Sequence, residues 1–284
     1  MSARGGTHAV NEIVGTHDLL FVTIDTLRFD VAQELFEAGR LPNLARVLPS
    51  GGWERRHTPG SFTFAAHSAF FAGFLPTPAG PGPHPRPFAS RFGGSESTAT
   101  DTWVFDEPDL VHGLAAAGYH TVCVGGVGFF NPANALGAVL PGFFDEAHWS
   151  PGTGVTAPDC LENQIAWARQ AVARLPADRR LFLFVNIPAL HQPNWFHLDG
   201  AVQADGDTRA SHAAALEYVD REIGALFALA AARRDCFAIV CSDHGTAYGE
   251  DGHTGHRFAH PVVWTVPYAQ FLLPRGSHAQ GVRQ

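Results

Sequence analysis

Two short apolar runs each end in an acidic residue. Asp25 follows LLFVTI directly, and Asp243 with His244 follows FAIVCS in the same way. Taken alone, Asp25 reads as a cap for the next helix and Asp243 as the start of a turn. Taken together, two carboxylates and an imidazole delivered to one edge by separate strands suit a Zn2+ or Mn2+ ion, and Mg2+ less well. The chain has 16 histidines, and His244, His253, His256 and His260 crowd into one short segment. Such crowding is unusual.

These residues need elements to position them. The apolar runs 19–24, 121–124, 181–187 and 237–241 lack polar alternation, which predicts parallel strands covered on both faces. Helical patterns lie between them, over 107–117 up to Gly118, over 159–175 and over 211–232. The alternation predicts the α/β class, with a mostly parallel sheet sandwiched by helices. Ligands bind such sheets beyond the carboxyl ends of the strands, so the residues just after each strand carry the functional information. Two stretches fall outside the pattern. The Pro- and Gly-rich 75–94 is expected to be a long loop beside the site, and 195–209 a polar loop. The tail 274–284 is expected to fray.

Length and composition set the bounds. The 284 residues fit one domain over 1–284. With 45% hydrophobic and 16% charged residues, the chain is not of the disordered class. A net charge of -8 without a basic run excludes a nucleic-acid partner, because nothing supplies the Lys/Arg stripe that phosphate backbones require. No leader pattern opens the chain, and no apolar stretch reaches the roughly 18 residues that span a bilayer. A cytoplasmic protein without membrane contact is therefore expected. Cys123, Cys160, Cys236 and Cys241 lack CxxC spacing and read as reduced core residues.

Five blocks then carry a resemblance. LFVTIDTLRFD at 20–30, TPGSFTFAAHSAFFAGFLP at 58–76, LFLFVNIPALHQP at 181–193, ALEYVDREIGALF at 215–227 and SDHGTAYGEDGHTGHRF at 242–258 resemble, in order, sulfatase-like members of the alkaline phosphatase superfamily. The match runs from about residue 18 to about 273. It implies an alkaline-phosphatase-like, compact single domain.

The resemblance assigns roles position by position. Asp25, Asp243 and His244 fall on the family's metal ligands. Thr63 falls where sulfatases keep the cysteine that becomes formylglycine, so the sulfate-ester route has no electrophile here. A threonine looks like the phosphatase, phosphodiesterase and phosphotransferase branches, in which it is both metal ligand and nucleophile. Coordination makes a weak hydroxyl nucleophilic by lowering its pKa. The pattern over 63–74 predicts a helix whose first N–H groups would favour an anionic oxygen. Ser61 is close enough to be a rival. His191, in the ALHQP block, and His256, in GHTGHRF, are expected to touch the transferred group or a metal. His67 stands where sulfatases have an arginine and is expected to bind the anion or donate a proton to the leaving group. Arg28 is expected to fix its loop by pairing with Asp30 or another carboxylate. Two-metal members carry an aspartate four residues before the middle histidine, where this chain has Ile187. A second ion would then rest on His191, His256 and either His253 or His260. One or two zinc or manganese ions are thus implied.

The expected activity is metal-dependent hydrolysis of a phosphate monoester, phosphodiester or phosphonate ester, on a small anionic substrate, through Thr63. Transfer of the phosphothreonine to an alcohol, as in a transferase or mutase, is the second reading. A non-catalytic metal-binding accessory protein is the third.

Overall fold

Asp18–Ile24 (β1) is buried along its whole length and forms the middle of a seven-stranded sheet. The computed structural model describes residues 8–73, 86–92 and 100–277. The other strands of the sheet are Glu54–His57 (β2), Tyr119–Val124 (β3), Glu146–His148 (β4), Arg180–Ile187 (β5), Cys236–Cys241 (β6) and Thr265–Leu273 (β7), in the order β2-β7-β6-β1-β5-β3-β4. From β6 to β4 all neighbours are parallel. β7 runs antiparallel to both β6 and β2.

The pleat sends alternate side chains of β1 to opposite faces. Leu20, Val22 and Ile24 enter one core with Phe29–Glu37 (α1), Cys160–Arg174 (α4) and Arg209–Ala230 (α5). Leu19 and Phe21 enter the other, with Thr63–Ala72 (α2), Leu110–Ala116 (α3) and a cluster containing Phe71, Phe130, Phe144, Phe182 and Phe184. Each such fully buried side chain contributes on the order of 1.5–3 kcal/mol. Both faces are therefore covered, which is why the strands read as unbroken apolar runs.

Caps set the helix ends. Asp109 accepts from His112 N at 2.9 Å at the start of α3, and Thr208 accepts from Ser211 N at 3.1 Å at the start of α5. Each such cap stabilises by about 1 kcal/mol. The helices expected over 107–117 and 211–232 therefore begin at Leu110 and Arg209, and the second takes the last residue of the expected 195–209 loop. α2 ends at Gly73, whose φ of 71° lets the chain turn left-handed.

Three differences from the sequence reading stand out. The antiparallel edge β7 and β2 was not expected. Strand pairing of Phe88–Ser90 with Trp103–Phe105 lies inside the stretch 75–94 read as loop, most of which falls outside the described residues. The tail begins anchored: Arg275 N donates to Asp235 Oδ1 at 2.8 Å and Gly276 N to Ala231 O at 2.9 Å. Among the described residues no helix is long and apolar enough to cross a membrane. All four cysteines are buried and unpaired.

Candidate active site

β1 and β6 end side by side, so Asp25 and Asp243 leave the sheet at the same edge. α2 comes down onto that edge and places Thr63 in its first turn. Thr63 Oγ1 lies 3.2 Å from Asp25 Oδ2 and 3.4 Å from His244 Nε2. Nε2 of His244 is in turn 3.5 Å from Asp243 Oδ2 and 3.9 Å from Asp25 Oδ1. All four residues are buried.

Electrostatics set the purpose of this cluster. Burial, and then the neighbouring Asp243, push the Asp25 carboxyl up to about 7; burial pushes that of Asp243 up to about 7 as well. Asp25 Oδ1 and Asp243 Oδ2 are buried without a hydrogen-bond partner among the described residues. Two orphaned carboxylate oxygens cost free energy unless a cation lies between them. His244 is arranged to match. Its Nδ1 lies 2.9 Å from Gly245 O, which fixes that nitrogen as the donor and leaves Nε2 as a bare lone pair facing the carboxylates. An imidazole so held is the usual form of a metal-ligating histidine. Among the described residues, Asp25, Asp243 and His244 are the one group of ligating side chains whose atoms converge within 4.8 Å. The donor set fits a divalent cation.

The backbone bends to build it. Thr26 takes φ 61°, unusual for a β-branched residue, and its N–H thereby reaches Asp243 Oδ1 at 3.3 Å. Gly245 lets the following turn press against Val262, whose carbonyl would stand 1.9 Å from an added Cβ. The cap residue of α2, Phe62, has no side-chain acceptor, so among the described residues the N–H groups of the first turn beside Thr63 are left without a capping side chain.

A sulfatase family model matches residues 17–268. The chain belongs to the sulfatase family. Solved structures show that this sulfatase-family chain has the alkaline-phosphatase-superfamily fold. The soluble domain of lipooligosaccharide phosphoethanolamine transferase A from Neisseria meningitidis is similar at a TM-score of 0.61 and 16% identity, over 93% of this chain and 78% of that one. The lipoteichoic acid synthase LtaP from Listeria monocytogenes is similar at 0.56 and 12%, over 97% and 69%. A protein in the alkaline phosphatase superfamily from Vibrio parahaemolyticus is similar at 0.55 and 15%, over 92% and 60%. No curated protein sequence matches the chain. Its family places it with enzymes acting on phosphoryl or sulfuryl groups.

Within this sulfatase-family site, Thr63 rather than Ser61 contacts the carboxylate and imidazole. The main-chain carbonyl of Ser61 accepts from Arg257 N at 2.9 Å. Arg28 is paired as expected, with Asp30 at 2.9 and 2.7 Å and with Glu250. His191 and His256 face each other with ring centroids 5.6 Å apart, and His256 lies 4.4 Å from His244. His256 Nδ1 is buried without a partner among the described residues. Burial holds its imidazole down at about 3.

Three expectations need correction. His67 does not face a leaving group: it is wholly buried among Phe70, Phe71, Phe130 and Phe184, and both ring nitrogens are engaged. Nδ1 lies 2.8 Å from Thr63 O and Nε2 lies 2.9 Å from Thr23 Oγ1. His260 does not join His191 and His256, since its Nε2 meets Asp251 at 3.0 Å and its Nδ1 accepts from Val262 N. His253 packs on Phe258, with ring centroids 4.9 Å apart. The second-ion set of the sequence reading therefore lacks its third member, and His256 stands beside rather than within the converging ligand group.

The sequence reading missed Asn186. This asparagine sits in the buried run LFLFVNI and donates to Thr23 Oγ1 at 3.2 Å and to Asp25 Oδ2 at 3.4 Å. A polar residue inside an otherwise apolar strand was the available signal. Arg257 was also missed. A cavity of about 890 Å3 lined by Phe70, Phe182, Phe237 and Tyr268 is separate from the cluster, since none of the four site residues lines it.

Proposed function

We propose that the protein is a metal-dependent hydrolase of a small phosphate monoester, phosphodiester or phosphonate ester, with Thr63 Oγ1 as nucleophile. The observation that supports this most is the placing of a hydroxyl 3.2 Å from Asp25 and 3.4 Å from His244 in the first turn of α2. A zinc or manganese ion held by Asp25, Asp243 and His244 with Thr63 would supply the positive charge that makes the hydroxyl a competent nucleophile near neutral pH.

The protein's own groups do the rest. Asp25 Oδ2 accepts the Thr63 hydrogen, so the proton has an acceptor in place. The N–H groups of the first turn of α2 receive the non-bridging phosphoryl oxygens. As the Thr63 oxygen bonds to phosphorus, the bond to the alcohol breaks and the alcohol takes up a proton. His191, whose ring centroid lies 5.6 Å from that of His256, is the imidazole that donates it, while His256, held neutral by burial, stays beside it as an acceptor. Water then hydrolyses the phosphothreonine and restores Thr63.

Thr63→Ala, assayed on aryl phosphate, phosphodiester, phosphonate and sulfate esters, tests the reading. The variant should retain metal by elemental analysis and lose turnover. Near wild-type activity in Thr63→Ala, or a dominant sulfatase activity in the wild type, would overturn it.

A second reading is transfer to an alcohol in place of water. It draws on similar structures whose names are phosphoethanolamine transferase and lipoteichoic acid synthase. Product analysis with competing alcohol acceptors separates the two, because a transferase yields the new ester in excess over free phosphate.

A further inference from the structure

Arg257 is fastened to the nucleophile's own segment. Its backbone adopts φ 79°, a conformation that costs a non-glycine residue free energy and persists where surrounding contacts impose it. From there its N–H donates to Ser61 O at 2.9 Å, and its guanidinium lies over the Phe62 ring, 5.5 Å from the centroid. Phe62 is the residue before Thr63 at the start of α2.

The guanidinium has no ion pair or side-chain hydrogen bond among the described residues. Arg28, by contrast, is taken up by Asp30 and Glu250. The acids nearby in sequence are engaged as well, Glu250 with Arg28 and Asp251 with His260. Its two contacts, to Ser61 O and to the Phe62 ring, put Arg257 against the two residues that lead into Thr63. Arg257 is exposed, so a ligand entering from solvent meets it. A stacked guanidinium is a planar fork of donors whose orientation is already set, suited to a carboxylate or a phosphate.

We propose that Arg257 recognises a second negative charge on the substrate, so that the natural ester carries more charge than a phosphodiester with an uncharged tail. This rests on the reading of the site as one that binds a phosphoryl ester. The second charge has two sources, the dianionic phosphoryl of a monoester or an anionic group on the tail of a diester. A cationic tail is disfavoured by repulsion.

The test compares wild type, Arg257→Ala and Arg257→Lys, metal-loaded, at pH 8. The substrates are p-nitrophenyl phosphate and the p-nitrophenyl phosphodiesters of glycolate, ethanol and choline. Arg257→Ala should lower kcat/KM about tenfold or more on p-nitrophenyl phosphate or on the glycolate diester, as expected for loss of one charge-assisted contact. The ethyl and choline diesters should change less than about threefold, and Arg257→Lys should recover part of the loss. Dependence on p-nitrophenyl phosphate alone assigns the charge to the phosphoryl, and dependence on the glycolate diester alone assigns it to the tail. Equal loss on all four substrates, or no loss on any, overturns the proposal.

Calorimetric titration of inorganic phosphate and of glycolyl phosphate gives a readout without turnover. If no ester is hydrolysed but either anion binds about tenfold more weakly to Arg257→Ala, the hydrolase reading fails and the role of Arg257 stands. Equal binding of both anions to both proteins in that circumstance overturns the role of Arg257.

Discussion

Oγ1 of Thr63 and Oδ2 of Asp25 lie 3.2 Å apart although 38 residues separate them in the chain. Asp25 is fixed by the end of β1, where its N–H donates to Ile187 O at 2.9 Å, and Thr63 is fixed by the first turn of α2. The pair therefore depends on how a helix is seated on a sheet edge, and variants that disturb this seating should act without touching either residue.

Metal should stabilise the fold through the orphaned carboxylate oxygens. Adding zinc or manganese to chelator-treated protein is expected to raise Tm, with a gain of about 2.7 kcal/mol at a free concentration of 100 times Kd. Asp243→Asn and His244→Ala should abolish most of the shift in a thermal scan. An unchanged Tm shift in both variants would place the ion elsewhere.

His67 should act as a positioning residue. Its ring bridges the Thr63 carbonyl and Thr23 Oγ1, and Thr23 Oγ1 accepts from Asn186, which also reaches Asp25. His67→Ala removes a buried ring and strands two polar partners, at a cost of about 3–5 kcal/mol in denaturant unfolding. His67→Gln keeps hydrogen-bonding capacity. It should fold, bind metal and lower kcat more than it changes KM, whereas a purely structural His67 would leave the kcat of folded His67→Gln intact.

His212 should give the fold an acid limb. It is wholly buried, and burial, then Arg28, hold its imidazole down at about 3. The unfolded chain titrates near 6.5. Between those values the unfolded state binds the extra proton, so stability falls as the pH drops below about 6.5 and the loss is complete near 3. From pH 7 to pH 5 this one group should cost about 2 kcal/mol. Urea midpoints for His212→Gln should fall less over that range than those of the wild type; parallel curves would show that His212 is not the group responsible.

Gly245→Ala should be severe. The added Cβ would stand 1.9 Å from the backbone carbonyl of Val262, and backbone cannot rotate away as a side chain can. We expect loss of several kcal/mol, or displacement of His244 with loss of metal affinity. A variant with wild-type stability and metal content would show that the two segments separate freely.

The sequence by itself determined the parallel centre of the sheet and the edge at which Asp25, Asp243 and His244 meet. Strands buried on both faces leave unbroken apolar runs, and the acids directly after them can go only to the strand end. Thr63 was legible through the resemblance of its block. What the sequence could not show were relations that only strand register and helix seating create. β7 pairs at an antiparallel edge through a run that contains Pro267 and polar residues, so no simple period marks it. His67 resembled an anion-binding residue by position, yet the packing of α2 turns it into the aromatic core and away from solvent. Asn186 meets Thr23 because β5 and β1 place them opposite each other. Arg257 reaches the segment of Thr63 through a left-handed turn and one main-chain bond. Each of these depends on a partner distant in the chain, and a local pattern carries no record of such a partner.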